Sequence, residues 1–121
     1  MISAAVQSVC AGIIPNTYLA MGDEEIVAPY CTHKETGDAQ YLKSGLIGFI
    51  YRCEILVIDR TPESVESLGQ QIMIAIEALG GTTTSGTKID MVEFQGDEPD
   101  FDIESKLYLT ILTFLIETSN R

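Results

Sequence analysis

Basic residues are scarce in this chain: seven lysines and arginines stand against 18 aspartates and glutamates, a formal net charge of −11. A protein that grips nucleic acid needs a basic surface to meet the phosphates. Lys34, Lys43, Lys88 and Lys106 are too scattered to form one, so direct nucleic-acid binding is not expected. Cysteine is scarce as well. Cys10, Cys31 and Cys53 are odd in number and widely spaced, which makes no disulfide framework and suits a reduced intracellular protein. No apolar run approaches the length of a membrane span, and the first residues lack the basic start of a signal peptide; no membrane partner is expected. His33 is the single histidine. With no second histidine and no serine in a nucleophile-elbow setting, the residues assemble no catalytic constellation. The chain reads as non-enzymatic, with no cofactor and no metal.

Three stretches come near to a chemical motif. Gly81 to Lys88 has two glycines flanking four residues, with a lysine behind them. Gly86-Thr87-Lys88 nevertheless puts the hydroxyl before the lysine, and the stretch follows a helix instead of preceding one, so it reads as a loop and not a phosphate cradle. Cys31 and His33 share a strand face, and Cys53 lies on what should be the neighbouring strand. Three such ligands suit zinc, or a thiol with a histidine base, but the paired spacing of zinc sequences is missing and a buried free cysteine acts as a small hydrophobe. The acidic run from Asp97 to Glu104 lacks the alternating ladder, central glycine and closing glutamate of a calcium loop. It reads as a solvated turn.

What the chain does have is apolar patterning: 45% apolar and 21% charged residues, in keeping with one ordered domain over residues 1–121. The organising stretch is Phe49 to Gly81. Phe49, Tyr51, Cys53, Ile55 and Val57 alternate with Ile50, Arg52, Glu54, Leu56 and Ile58, a strand with one fully apolar face. Thr61 as N-cap and Pro62 at the first helical position start a helix, with Glu63 and Glu66 at its positive end. Val65, Leu68, Ile72, Ala75, Ile76 and Leu79 make its buried stripe, and Gly80-Gly81 ends it.

Around this nucleus the chain reads as a short helix from Ile2 to Ala11, a connecting loop from Ile13 to Glu25, and a strand from Ile26 to Glu35 with Pro29 at its edge or start. Thr36 to Gly48 reads as a long loop whose apolar residues either return to the core, extend the flanking strands, or wait for another subunit. Gly80 to Thr87 is expected to be mobile. Lys88 to Gln95 reads as a strand with Ile89 and Met91 on one face and Val92 and Phe94 on the other. Gly96 to Glu104 reads as an acidic connection, and Lys106 to Glu117 as an interior strand apolar on both faces. No internal repeat is visible. The expected fold is α+β: a mainly antiparallel sheet of about four strands, one long helix packed on it and a short N-terminal helix. Ile74 projects about 180° from Val65 on the helix, at ~100° per residue, and Met73 lies on the flank. With Tyr41, Leu42, Leu46 and Ile47 of the long loop, these form a candidate subunit interface.

The series of pieces also carries a resemblance. An N-terminal helix is followed by Ala28-Pro29-Tyr30 opening a strand, a long loop, and an alternating strand ending in Asp59. Then come the helix with Leu68 and Ala75-Ile76-Glu77-Ala78-Leu79, and Asp100-Phe101-Asp102 before a closing apolar strand. This resembles the small tail-completion (tail-terminator-like) proteins of long-tailed bacteriophages and prophages over nearly the whole chain. Ala28-Pro29-Tyr30 is the most specific piece, and the IIPNTYLAMG segment before it departs most. The resemblance implies a structural, non-catalytic role in virion assembly: a homo-oligomeric ring at the head-proximal end of the tail tube. There it would complete the tail and join it to the head, with tail-tube and head-connector proteins as partners. It also implies residence in the host cytoplasm during assembly and then in the virion tail. A ferredoxin-like regulatory or ligand-binding module that self-associates is the alternative, and a small thiol or zinc enzyme using Cys31, His33 and Cys53 is the third reading.

Overall fold

A computed structural model describes residues 2–19, 28–42 and 45–119, apart from the side chains of Leu42 and Leu46. In chain order the elements are α1 (Ile2–Ile13), β1 (Thr17–Leu19), β2 (Tyr30–Leu42), β3 (Gly45–Asp59), α2 (Pro62–Glu77), β4 (Thr83–Thr84), β5 (Thr87–Asp102) and β6 (Leu107–Ser119). The strands form one curled, half-barrel sheet in the order β1-β2-β3-β6-β5-β4. This corrects the expected fold: the domain is mostly sheet, with six strands instead of four. Its two helices, of 12 and 16 residues, are both short, and α2 is not a single long helix on a small sheet.

The differences have local causes. β1 lies where a loop is expected, because three residues have no period to read; pairing with β2, in parallel, makes them a strand. β4 lies in the segment expected to be mobile. There Ser85 and Gly86 both take positive φ, 50° and 78°, and close a two-residue hairpin of the mirror-image type whose twist suits the flanking strands. Most of the expected long loop from Thr36 to Gly48 is the extension of two strands, paired from Thr36↔Arg52 outward to Leu42↔Gly45; Lys43 and Ser44 lie outside the described residues. Asp97 to Asp102 likewise continues β5, paired with Leu112 through Leu107. Pro99 is tolerated there because β5 is an edge strand beyond its short pairing with β4. Irregularities at Asp90 and Gln95 shift the β5 register. Ile89, Val92 and Phe94 consequently join the core, while Met91 is exposed, which replaces the strict alternation expected from the sequence.

The start of α2 follows its sequence signals. Thr61 Oγ1 accepts from the Ser64 N–H at 3.2 Å and Pro62 opens the helix. Val65, Ile72 and Ile76 are buried, and Leu68 packs against the same core. That core lies between one sheet face, carrying Cys53, Ile55, Val57, Phe114 and Ile116, and the two helices, with α1 contributing Ile2, Val6 and Cys10. On the other face Arg52, Glu54, Leu56, Ile111 and Thr113 are half-buried or exposed.

The order helix, strand, strand, strand occurs twice. β3 and β6 pair at the centre of the sheet and the remaining strands fan outward in matching order. β2 and β3 end at Leu42 and Asp59, and β5 and β6 end at Asp102 and Ser119, the same offset along the chain in both cases. The element order is thus that of two αβββ halves, which the sequence does not reveal, although the outer strand pairs in parallel in the first half and antiparallel in the second. Each half carries one long hairpin arm, and the arms leave the sheet at opposite ends. The β2–β3 arm runs past the Gly48↔Ser119 pair to Leu42↔Gly45, whereas the β5–β6 arm passes Asp59↔Tyr108 by the one pair Asp102↔Leu107, its Asp97 to Phe101 stretch lying alongside the body of the sheet.

Candidate functional site

The residues with the most reactive chemistry lie inside the first half. Alternation along β2 puts Cys31, His33 and Glu35 on the covered face, and register sets Glu35 opposite Cys53. His33 Nδ1 lies 2.8 and 3.0 Å from the two Glu35 carboxylate oxygens, and Nε2 lies 2.6 Å from Gln7 Oε1. The Gln7 amide is oriented by its other end, which donates to the Thr17 carbonyl at 2.9 Å. Both ring nitrogens are therefore engaged, one by the Glu35 carboxyl and the other by the Gln7 amide oxygen. The His33 and Glu35 side chains are 0% and 1% exposed, and the Cys53 thiol donates weakly to Glu35 at 3.6 Å. One network thereby ties α1, β1, β2 and β3 together.

This arrangement is poorly suited to the zinc or thiol chemistry weighed above. With both ring nitrogens held in hydrogen bonds, His33 offers no free position to a metal. Among the described residues no cluster of three or more His, Cys, Asp and Glu is arranged to hold one. A hydrogen bond with Cys31, and then burial, push the Cys10 thiol far above its ordinary value. Burial, and then the charge of Glu35, do the same to Cys53. A thiol held protonated is a poor nucleophile.

The raised thiols make stability pH-dependent. As pH rises past about 8.5 the unfolded chain ionises its cysteines while the folded chain keeps Cys10 and Cys53 neutral. Stability is then lost with rising pH, by up to ~1.4 kcal/mol per pH unit for each thiol. Urea titrations from pH 7 to 10 should show the decline, and Cys53→Ala should make it shallower. A Cys53→Ala slope identical to wild type would show that the thiol is not sealed.

The other two motif-like stretches are structural. Gly81 to Lys88 holds the β4 hairpin, and the Gly81 N–H donates to the Ile89 carbonyl at 2.8 Å. At the end of the acidic run, Asp102 accepts from the Glu104 N–H at 3.2 Å and from Ser105 Oγ at 2.8 Å, which organises the turn.

The candidate interface residues fall in two places. Tyr41, 69% exposed, and half-buried Ile47 lie on the β2–β3 arm. Leu42 and Leu46 are on the same arm by backbone register, opposite Gly45 and Tyr41, and their side chains lie outside the described set. Ile74 stands out from α2 at 59% exposure, whereas Met73 packs against the core from the flank. Sequence reasoning missed Ile103, 80% exposed at the tip of the β5–β6 arm, because one apolar residue inside an acidic run carries no periodic signal.

A groove of about 380 Å³ opens between α2 and the β5–β6 arm. Leu112 and Thr110 line its sheet side, Val65 and Met73 its helix side, and Glu66, Asp97 and Asp100 supply charge. Its lining contains no lysine or arginine. The Thr110 hydroxyl, on the groove lining, is the one buried side-chain oxygen or nitrogen among the described residues without a hydrogen-bond partner.

No family model and no curated protein matches the chain. Solved structures do. A chain from the virion of a native gene transfer agent particle superposes with a TM-score of 0.71 at 16% identity, covering 98% of this chain and 95% of that one. A second solved chain superposes with a TM-score of 0.59 at 10% identity, covering 99% of this chain and 91% of the other. At these identities the likeness shows a shared fold over the full length of the domain.

Proposed function

We propose that the chain is a structural protein of a phage-type particle, specifically a non-catalytic tail-completion subunit. It would assemble as a ring at the head-proximal end of the tail tube, stop tube growth and present a surface to the head connector. It would be found in the host cytoplasm during assembly and in the virion tail afterwards. The observation that carries this reading is the end-to-end likeness to a chain of a gene transfer agent virion. Two further features support it. The reactive side chains are consumed in a closed internal network, and exposed apolar residues stand at the hairpin ends (Tyr41, Ile103), on the outer face of α2 (Ile74) and on edge strand β1 (Leu19), where a neighbouring protein could cover them. A net charge of −11 suits docking on protein and repels DNA passing through a ring.

The test is tube growth. Tail-tube protein from the same genome, polymerised with increasing amounts of this chain, should give progressively shorter tubes by negative-stain microscopy, with the chain bound at one end. Tubes of unchanged length, with the chain left in the supernatant after pelleting, would overturn the tail-completion role.

A further inference from the structure

We propose that the groove between α2 and the β5–β6 arm is the socket for the tip of the β2–β3 arm of a second copy of this chain, so that subunits join head to tail. The inference rests on the ring reading above and names the contact that would build the ring.

Three observations select this occupant. The first is charge. The groove offers an apolar lining with Glu66, Asp97 and Asp100 and no base of its own, so it suits an apolar segment that brings a cation. Between Asp38 and Arg52 the chain carries a single charged residue, Lys43, set among Tyr41, Leu42, Leu46 and Ile47. The second is the unsatisfied Thr110 hydroxyl. A buried hydroxyl without a partner is costly, and an inserted hairpin supplies both backbone carbonyls and the Tyr41 phenol. The third is placement. The two arms leave the sheet at opposite ends, so no subunit can fill its own groove, whereas an adjoining copy can.

The internal pair of halves explains why the contact would be directional. The two arms occupy matching places in the strand order but differ in length and in chemistry. The β5–β6 arm carries Asp97, Glu98, Asp100, Asp102 and Glu104 against one base, Lys106. Two such arms repel each other, which disfavours a symmetric pairing through them, while unlike ends attract. A contact between unlike surfaces leaves a free arm and a free groove after every addition, and it closes into a ring when the rotation per step allows.

Directionality gives a decisive test by complementation. Tyr41→Asp spoils the arm and keeps the groove; Glu66→Lys with Gln70→Lys spoils the groove and keeps the arm. All three positions are exposed, so circular dichroism melts should match wild type. In sedimentation velocity each variant alone is expected to run as a monomer at concentrations where wild type is a ring. An equimolar mixture should give a dimer and nothing larger, since one intact arm meets one intact groove. Rings formed by either variant would overturn the docking while leaving the ring reading in place. A mixture that stays monomeric would overturn it as well. Wild type that stays monomeric alone and with tail-tube protein would overturn both.

Discussion

Replacing His33 with alanine should destabilise the domain by about 3–5 kcal/mol, because it strips the buried Glu35 carboxyl of its closest partner. The Glu35 side chain is 1% exposed, and its remaining contact is the Cys53 thiol at 3.6 Å. Gln7 Oε1 loses its partner in the same step. For a domain of 121 residues such a loss lowers the melting temperature by roughly 10–20 °C. The pair itself is a different matter. Two buried charges must repay their desolvation, and well-packed apolar replacements of both are often neutral or better. The double variant His33→Phe with Glu35→Leu should therefore recover most of what His33→Ala loses. Urea denaturation of the three proteins measures this directly. A loss below ~1 kcal/mol for His33→Ala would mean that Glu35 is not desolvated in the folded chain.

This network also shows where sequence reading stops. Alternation placed Cys31 and His33 on one face, yet the partner that decides their chemistry is Glu35, two residues further on at a position assigned to the end of a strand. The other partner is Gln7, from a helix with no sequence link to it. Hydrogen-bond partners distant in sequence leave no periodic trace. The β3–α2 nucleus was legible because each of its signals is local: alternation, an N-cap, a proline at the first turn and an i, i+3, i+4 stripe. The arms were not, and for one physical reason. Gly37, Gly45 and Gly48 on one arm, and Pro99 with five acids on the other, carry loop composition. Cross-strand pairing overrides it. Gly37 lies under the ring of its partner Tyr51, where an added Cβ would come within 2.5 Å of the aromatic carbon. That is a glycine retained for close aromatic packing on a strand, not for a turn. The outer face of α2 was readable, since a single helix angle puts Ile74 outside. The groove beside it was not, because Thr110, Asp97 and Met73 meet only through the β5–β6 register and the tilt of α2.

Two isoleucines on that helix, one turn-half apart, should separate folding from assembly by their opposite responses. Ile76 is fully buried between helix and sheet, and Ile74 is 59% exposed. Ile76→Asp places an unpaired charge in the core, a change worth several kcal/mol and comparable to the whole stability of a small domain. The variant should be unfolded at 25 °C, with no cooperative melt. Ile74→Glu changes an exposed side chain and should keep the melt within about 0.5 kcal/mol of wild type. In a subunit interface, however, the same glutamate would be buried beside a partner with no cation in place, and association should weaken by several kcal/mol, enough to lose rings at micromolar concentration. Sedimentation across a concentration series, with thermal melts of the same samples, reads both effects. If Ile74→Glu melts as poorly as Ile76→Asp, the outer face of α2 belongs to the fold of the single chain. If it folds and still assembles like wild type, the face around Ile74 is free in the ring, and subunit contact must run through the arm and the groove.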